Sequence, residues 1–183
     1  MILSLSGPGL WYATRATGLV TLLLLTLSVF LGVLTAGRFA SQKWPRFLTM
    51  GLHRNISLVV LIFLALHVTT TLIDTYTHIP VAAAFLPFAS SYKGGVWLSL
   101  GAVALDLLIA LVITSLVRMR IGHRAWRRLH WAAYACWPIA LMHGLGIGTD
   151  TRSLVVYVFT LICMTSVAAI ATWRLVTSRM RSA

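Results

Sequence analysis

Charged residues are scarce. They make up 10% of the chain while 59% is apolar, and mean hydropathy is +0.90. A soluble globular domain carries about 25% charged residues, so this composition excludes one and points to a chain that lives in lipid. Cysteine is nearly missing too: Cys136 and Cys163 each sit inside an apolar run with no second cysteine close by, which excludes a disulfide framework. There is no glycine-rich dinucleotide fingerprint and no P-loop, no internal repeat, no low-complexity segment, and no nucleophile set beside a general base. The first apolar run follows Gly7, Pro8 and Gly9 rather than a basic stretch and outlasts a signal-peptide core, so we expect an uncleaved helix.

What the chain has in plenty is apolar runs of membrane length. About 20 mainly apolar residues cross about 30 Å of hydrocarbon. Five segments of the sequence qualify or nearly so, at about 12–37, 54–74, 95–118, 128–146 and 154–176. Little is left over for a second core of domain size. The expected fold class is therefore all-α, an integral membrane bundle of about five transmembrane helices forming a single domain over residues 1–183. The fourth segment is the least uniform, holding Pro138 and two histidines.

A formal net charge of +12 raises the question of nucleic acid, but the basic residues lie in short loops beside apolar runs instead of along one amphipathic face. Their placement reads as topology. Arg38, Lys43, Arg46 and Arg54 fall between the first two segments; Arg118, Arg120, Arg124, Arg127 and Arg128 lie between the third and fourth; Arg174, Arg179 and Arg181 end the chain. The opposite loops hold Lys93 and Arg152 beside Asp74 and Asp150. The positive-inside rule then sets the N-terminus outside and the C-terminus in the cytoplasm, as a multi-pass protein of the cell inner (plasma) membrane. Trp44, Trp126, Tyr76 and Tyr92 fall near the expected interfaces, where aromatic belts form.

Ionisable residues inside a span are costly and mark function by default. His53 and His67 stand at the two ends of the second segment, His130 and His143 at the two ends of the fourth. Both segments run inside to outside. At about 1.5 Å per residue each pair spans roughly 20 Å, which matches His53 in depth with His130 near the cytoplasmic surface and His67 with His143 near the outer one. Two histidines on facing helices supply both axial positions of a haem iron, a ligation suited to one-electron relay. With no Cys-x-x-Cys-His attachment site, the expected cofactors are two non-covalent haems b. Rotation fits one helix better than the other: fourteen steps of about 100° bring His67 within about 40° of the face of His53, whereas thirteen steps leave His143 well off the face of His130. Pro138 lies between the latter two, and a proline-induced distortion would offset the mismatch. His78 and His123 match neither pair and are expected in loops.

The stretches "GLHRNISLVVLIFLALHV" and "WRRLHWAAYACWPIALMHG" carry a resemblance to the ferric reductase-like transmembrane domain shared by NADPH oxidases, ferric reductases and the membrane subunit of bacterial periplasmic methionine sulfoxide reductase. The spacing within each stretch, their order and the helix between them all agree, over about Tyr12 to Val176, and "WYATRATGLV" is similar to the start of small actinobacterial members. The best-known relatives have six helices here and many continue into a cytosolic flavin and nicotinamide domain; this chain is expected to depart from both patterns, with five helices and no such domain after the last. The resemblance implies an oxidoreductase subunit taking electrons from a separate donor, a cytosolic flavoprotein reductase or membrane quinol, so that flavin or NAD(P)H sits only on a partner protein. It implies ferric iron or an extracytoplasmic redox protein as acceptor.

Around the proposed haems, Arg54, Arg127 and Arg128 stand where a cation would meet an inner propionate, besides serving topology, and Arg15 one turn into the first helix reaches an outer propionate or snorkels to the interface. Phe63 and Trp137 fall between the ligands and either bridge the haems or pack. Gly18, Gly32, Gly51 and Gly144 permit close approach of a porphyrin or a helix. Asp106, near the middle of the third helix, is either a proton site or a protonated side chain bonded to a neighbour. Two other functions stay open: a metal-ion or proton transporter lined by the four histidines and Asp106, and a haem-binding anchor for a redox partner.

Overall fold

The computed structural model describes residues 8–42, 44–75, 77–90, 94–151 and 153–180. Lys43, Tyr76, Tyr92, Lys93, Arg152 and Arg181, which carry part of the topology argument, lie outside them. Among the described residues every regular element is helical, apart from one isolated bridge between Ser41 and Trp44. In order these are α1 (Pro8–Ala36), α2 (Arg46–Ile73), a short 3-10 helix (Val81–Ala84), α3 (Gly95–Leu116), α4 (Arg118–Ile121), α5 (His123–His130), α6 (Ala133–Ile147) and α7 (Leu154–Met180). Four of them, α1, α2, α3 and α7, are long and apolar enough to cross a membrane.

The boundaries follow local chemistry. Pro45 precedes α2, where a missing N–H costs nothing and a fixed φ suits a first turn. Before α3 the chain turns through Gly94 at φ 87°, a left-handed conformation open to glycine. Ser153 caps α7, its Oγ accepting from the Val156 N–H at 3.3 Å. Within the spans, hydroxyls that hydrocarbon would leave unsatisfied donate to carbonyls of their own helix, as Thr26 does to Leu22 and Thr160 to Val156, both at 2.8 Å. Compared with the expected segments, α2 begins eight residues earlier, at Arg46 rather than 54. Hydropathy fades at charged residues, but backbone hydrogen bonding continues past them.

The expected fourth helix is two, α5 and α6, joined through Trp131 and Ala132. The joint is a tightened turn. Trp131, Ala132, Tyr134 and Ala135 each donate to the carbonyl three residues back, and Trp131 (φ −61°, ψ −24°) and Ala132 (φ −59°, ψ −20°) have 3-10 dihedrals. Pro138 itself lies inside α6. It has no N–H for the Tyr134 carbonyl and its ring crowds that group, so the distortion sits in the turn before it. Overwinding has a rotational effect. Thirteen steps at about 100° leave His143 about 140° from the face of His130, and about five of them taken at 120° reduce that to about 40°.

The chain divides into two compact units, Met1–Gly18 with Leu66–Thr149, and Leu19–Ala65 with Asp150–Ala183. In the first, α3 and α6 are the main packed pair. Small residues make that approach possible: Ala102 and Ala104 are buried on α3 and Cys136 on α6, beside the larger Trp137 and Leu141, and the Cys136 thiol points at the Ala104 carbonyl at 3.5 Å. The 3-10 helix packs beside α3, where Ser99 Oγ accepts the Phe88 N–H at 2.8 Å. In the second unit the buried side chains include Leu25, Leu31 and Val33 of α1, Val60 of α2, and Cys163 and Ile170 of α7. Trp173 lies against Gly37 and meets Phe39 edge-on, ring centroids 6.0 Å apart. Large apolar side chains elsewhere point outward, among them Ile62 of α2, Ile113 of α3 and Ile162 of α7. In a bilayer that surface is solvated by lipid.

Candidate functional site

Three of the four histidines singled out in the sequence, His53, His67 and His143, are held by one recurring device. His67 sets its Nδ1 at 2.9 Å from the Thr14 carbonyl, and its ring lies on Gly18, where an added Cβ would come within 2.9 Å of Cε1. His143 sets its Nδ1 at 2.8 Å from the Trp97 carbonyl and lies on Gly101, at 2.6 Å by the same measure. His53 sets its Nδ1 at 2.9 Å from the Ser28 carbonyl and lies on Gly32, at 3.3 Å. In every case the accepting residue is four before the glycine on the neighbouring helix. A helical carbonyl points along the axis toward residue i+4; where that residue has no side chain, a ring can settle on the bare backbone and reach the carbonyl.

The chemistry follows from the acceptor. A carbonyl only accepts, so each neutral imidazole must carry its proton on Nδ1, which leaves the Nε2 lone pair for a metal. A ligating histidine whose other nitrogen is tied to a backbone carbonyl has its tautomer and ring angle fixed in advance. Ser28 and Ser57 extend the arrangement at His53: their hydroxyls are 2.8 Å apart, and Ser57 Oγ donates to the His53 carbonyl at 2.7 Å.

His67 and His143 lie in the same unit and face one another, ring centroids 6.4 Å apart with planes at 76°. Two imidazoles that each bind one metal through a ring nitrogen at about 2 Å keep their centroids roughly 6 Å apart. The two residues could hold one metal-bearing group between them. Among the described residues no three or more His, Cys, Asp or Glu side chains converge, and two suffice only where another group supplies the remaining coordination positions, as a porphyrin does for haem iron.

His130 is built differently. It ends α5 and lies against Trp126 one turn earlier, centroids 4.9 Å apart and planes at 31°, while the Trp126 indole N–H donates to Ser115 Oγ at 3.2 Å. His123 also lies against that indole, ring centroids 5.3 Å apart, and His78 sits in the loop after α2 with φ 48°.

The remaining expected residues scatter. Arg15 is half-buried with its guanidinium 5.2 Å from the centre of the Trp11 ring, a cation–π contact beside the Thr14 that serves His67. Arg54, Arg127 and Arg128 are exposed, Phe63 is half-buried on α2, and Trp137 is buried on α6. Asp106 is on the exposed side of α3 in line with Ile109, Ile113 and Leu116. That is about 140° around the helix from Gly101, which faces His143. Gly51 and Gly144 face open space.

Sequence reasoning missed Gly101 and the carbonyls of Thr14, Ser28 and Trp97. One signal was there to find: Gly18 and Gly32 are as far apart in the sequence as His53 and His67, fourteen residues in both cases (32 − 18 and 67 − 53).

Compared with known proteins, residues 17–141 match the family described as ferric reductase like transmembrane component. That stretch holds Gly18, Gly32, His53, His67, Gly101 and His130, and stops two residues short of His143. No curated protein and no solved structure matches the chain. Since the match covers well over half of its length, the chain belongs to the ferric reductase-like transmembrane family.

Proposed function

We propose that this protein is a transmembrane electron carrier with two non-covalent haems b, one held by His67 and His143 and the other by His53 and His130. Family membership supports transmembrane electron transfer in general. The observation that carries the finer reading is the 6.4 Å apposition of His67 and His143, each with Nδ1 already engaged. The pairing of His53 with His130 rests on their matched sequence spacing. A haem held by these histidines would supply one-electron redox chemistry.

The chain's own residues do the rest. Backbone carbonyls of Thr14, Ser28 and Trp97 hold three rings in the ligating tautomer. Arg15, Arg54, Arg127 and Arg128 are the cations available to haem propionates. The α5–α6 stretch completes a five-helix bundle with the N-terminus outside and the C-terminus in the cytoplasm, in the inner (plasma) membrane. The donor would be a flavoprotein reductase or quinol on the cytoplasmic side and the acceptor ferric iron or an extracytoplasmic redox protein, with His53 and His130 holding the group nearer the donor and His67 and His143 the one nearer the acceptor. The protein works as the membrane subunit of an oxidoreductase.

A metal-ion or proton path lined by the histidines and Asp106 has less support, because Asp106 lies far around α3 from the residue that faces His143. Purified protein should show a Soret band, about two haems b per chain by pyridine haemochrome, and two components in a redox titration. Haem-free protein that moves divalent metal into proteoliposomes would overturn the reading in favour of transport.

A further inference from the structure

We infer that Gly18, Gly32 and Gly101 are positioning residues. Each leaves the space in which a histidine ring lies flat on the neighbouring helix with its Nδ1–H on the carbonyl four residues earlier, so that Nε2 is the nitrogen offered to the cofactor. The inference rests on the haem reading above and deepens it.

Three independent occurrences carry it. The pairs Thr14 with Gly18, Ser28 with Gly32 and Trp97 with Gly101 lie on two different helices and serve histidines on two others, yet the acceptor-to-glycine spacing is the same each time. Chance packing of small residues does not reproduce a hydrogen bond of 2.8 to 2.9 Å at a fixed offset three times. Geometry also ranks them. A Cβ at position 101 would meet His143 Nδ1 itself at 2.6 Å; at position 18 the nearest ring atom of His67 is 2.9 Å away; at position 32 that of His53 is 3.3 Å away. The first two would force the ring off its carbonyl, whereas the third asks for a shift of a few tenths of an ångström. Gly51 and Gly144, close in sequence to His53 and His143, have nothing within 4 Å of an added Cβ and support no ring.

Loss of the carbonyl contact weakens the ligand twice over. The ring must be oriented at the moment of binding, and its basicity falls; partners of this kind typically contribute 10- to 100-fold to metal affinity. The lost basicity bears harder on the ferric ion, so the midpoint potential of the affected component should rise, by about 59 mV for each tenfold preference lost in a one-electron couple.

The test uses the full chain purified from membranes. Gly101→Ala and Gly18→Ala should each deplete the same redox component, Gly101→Ala more, or shift its midpoint upward, while Gly32→Ala acts weakly on the other component and Gly9→Ala, where an added Cβ meets nothing within 4 Å, leaves both unchanged. The untouched component is the internal control for folding, since a misfolded chain loses both. Haem-free protein labelled with 15N-histidine gives a readout independent of cofactor: ring-nitrogen shifts should place the proton of His67 and His143 on Nδ1, and Gly101→Ala should release that of His143. Wild-type protein without haem but with Nδ1-protonated rings sinks the haem reading and leaves the positioning device standing. Unchanged titrations in Gly101→Ala and Gly18→Ala, or an Nε2-protonated His143 in the wild type, overturn the inference.

Discussion

His143 and His130 belong to one short stretch of chain and are secured in opposite ways. His143 is gripped from outside its own helix: the Trp97 carbonyl takes its Nδ1 and the bare backbone at Gly101 supports its ring. His130 is supported from within α5, by Trp126 one turn earlier, in a stretch with three arginines. A backbone carbonyl on a packed helix fixes both the distance and the tautomer of a ring. An aromatic neighbour on the same helix fixes only its plane, and moves whenever that helix moves. His67 and His143 are therefore each held by a carbonyl of a neighbouring helix, whereas the aromatic support of His130 comes from its own helix.

The largest effects should come from removing the rings themselves. His143→Ala and His67→Ala should delete the same redox component and lower haem from about two to about one per chain, since a bis-ligated cofactor loses most of its affinity with either ligand; His130→Ala should delete the other. If His143→Ala and His130→Ala silence one and the same component, the contrast drawn here collapses. A smaller effect is expected at Gly146, where an added Cβ would run into the Trp97 indole. Gly146→Ala should cost about 1–3 kcal/mol by overpacking, read as a lower thermal midpoint in detergent, and should perturb the His143 component through Trp97. The smallest belongs to Ser115→Ala. Losing the hydroxyl that anchors the Trp126 indole should cost about 1 kcal/mol and shift only the His130 component in redox titration, which would sharpen the difference between the two supports.

How much of this could be read without coordinates depends on what sets each feature. Spans declare themselves through composition, so α1, α2, α3 and α7 were legible, with ends displaced where helical hydrogen bonding outlasts hydropathy. The break between α5 and α6 was legible only as a suspicion attached to Pro138; its place in the preceding turn depends on which carbonyl the ring crowds. The histidines stood out because a titratable group in lipid is costly. Their supports did not, because a backbone carbonyl has no sequence signature and a glycine's neighbours depend on rotation about its helix. Gly18 and Gly32 lie under rings, whereas Gly51 and Gly144, equally conspicuous as letters, face open space.

Trp97 touches α6 twice, its carbonyl at His143 and its indole at Gly146, two points one turn apart. A vernier works this way: two marks must align together, so the scale can stop at one reading only. Sliding α6 by a single residue would carry the His143 ring about 1.5 Å along α3 and would have to break both contacts at once. Loops joining these helices can therefore change in length over evolutionary time without retuning the His143 geometry, but an insertion between positions 143 and 146 would set the two marks out of step, and one between 97 and 101 would part the carbonyl from the bare backbone that supports the ring.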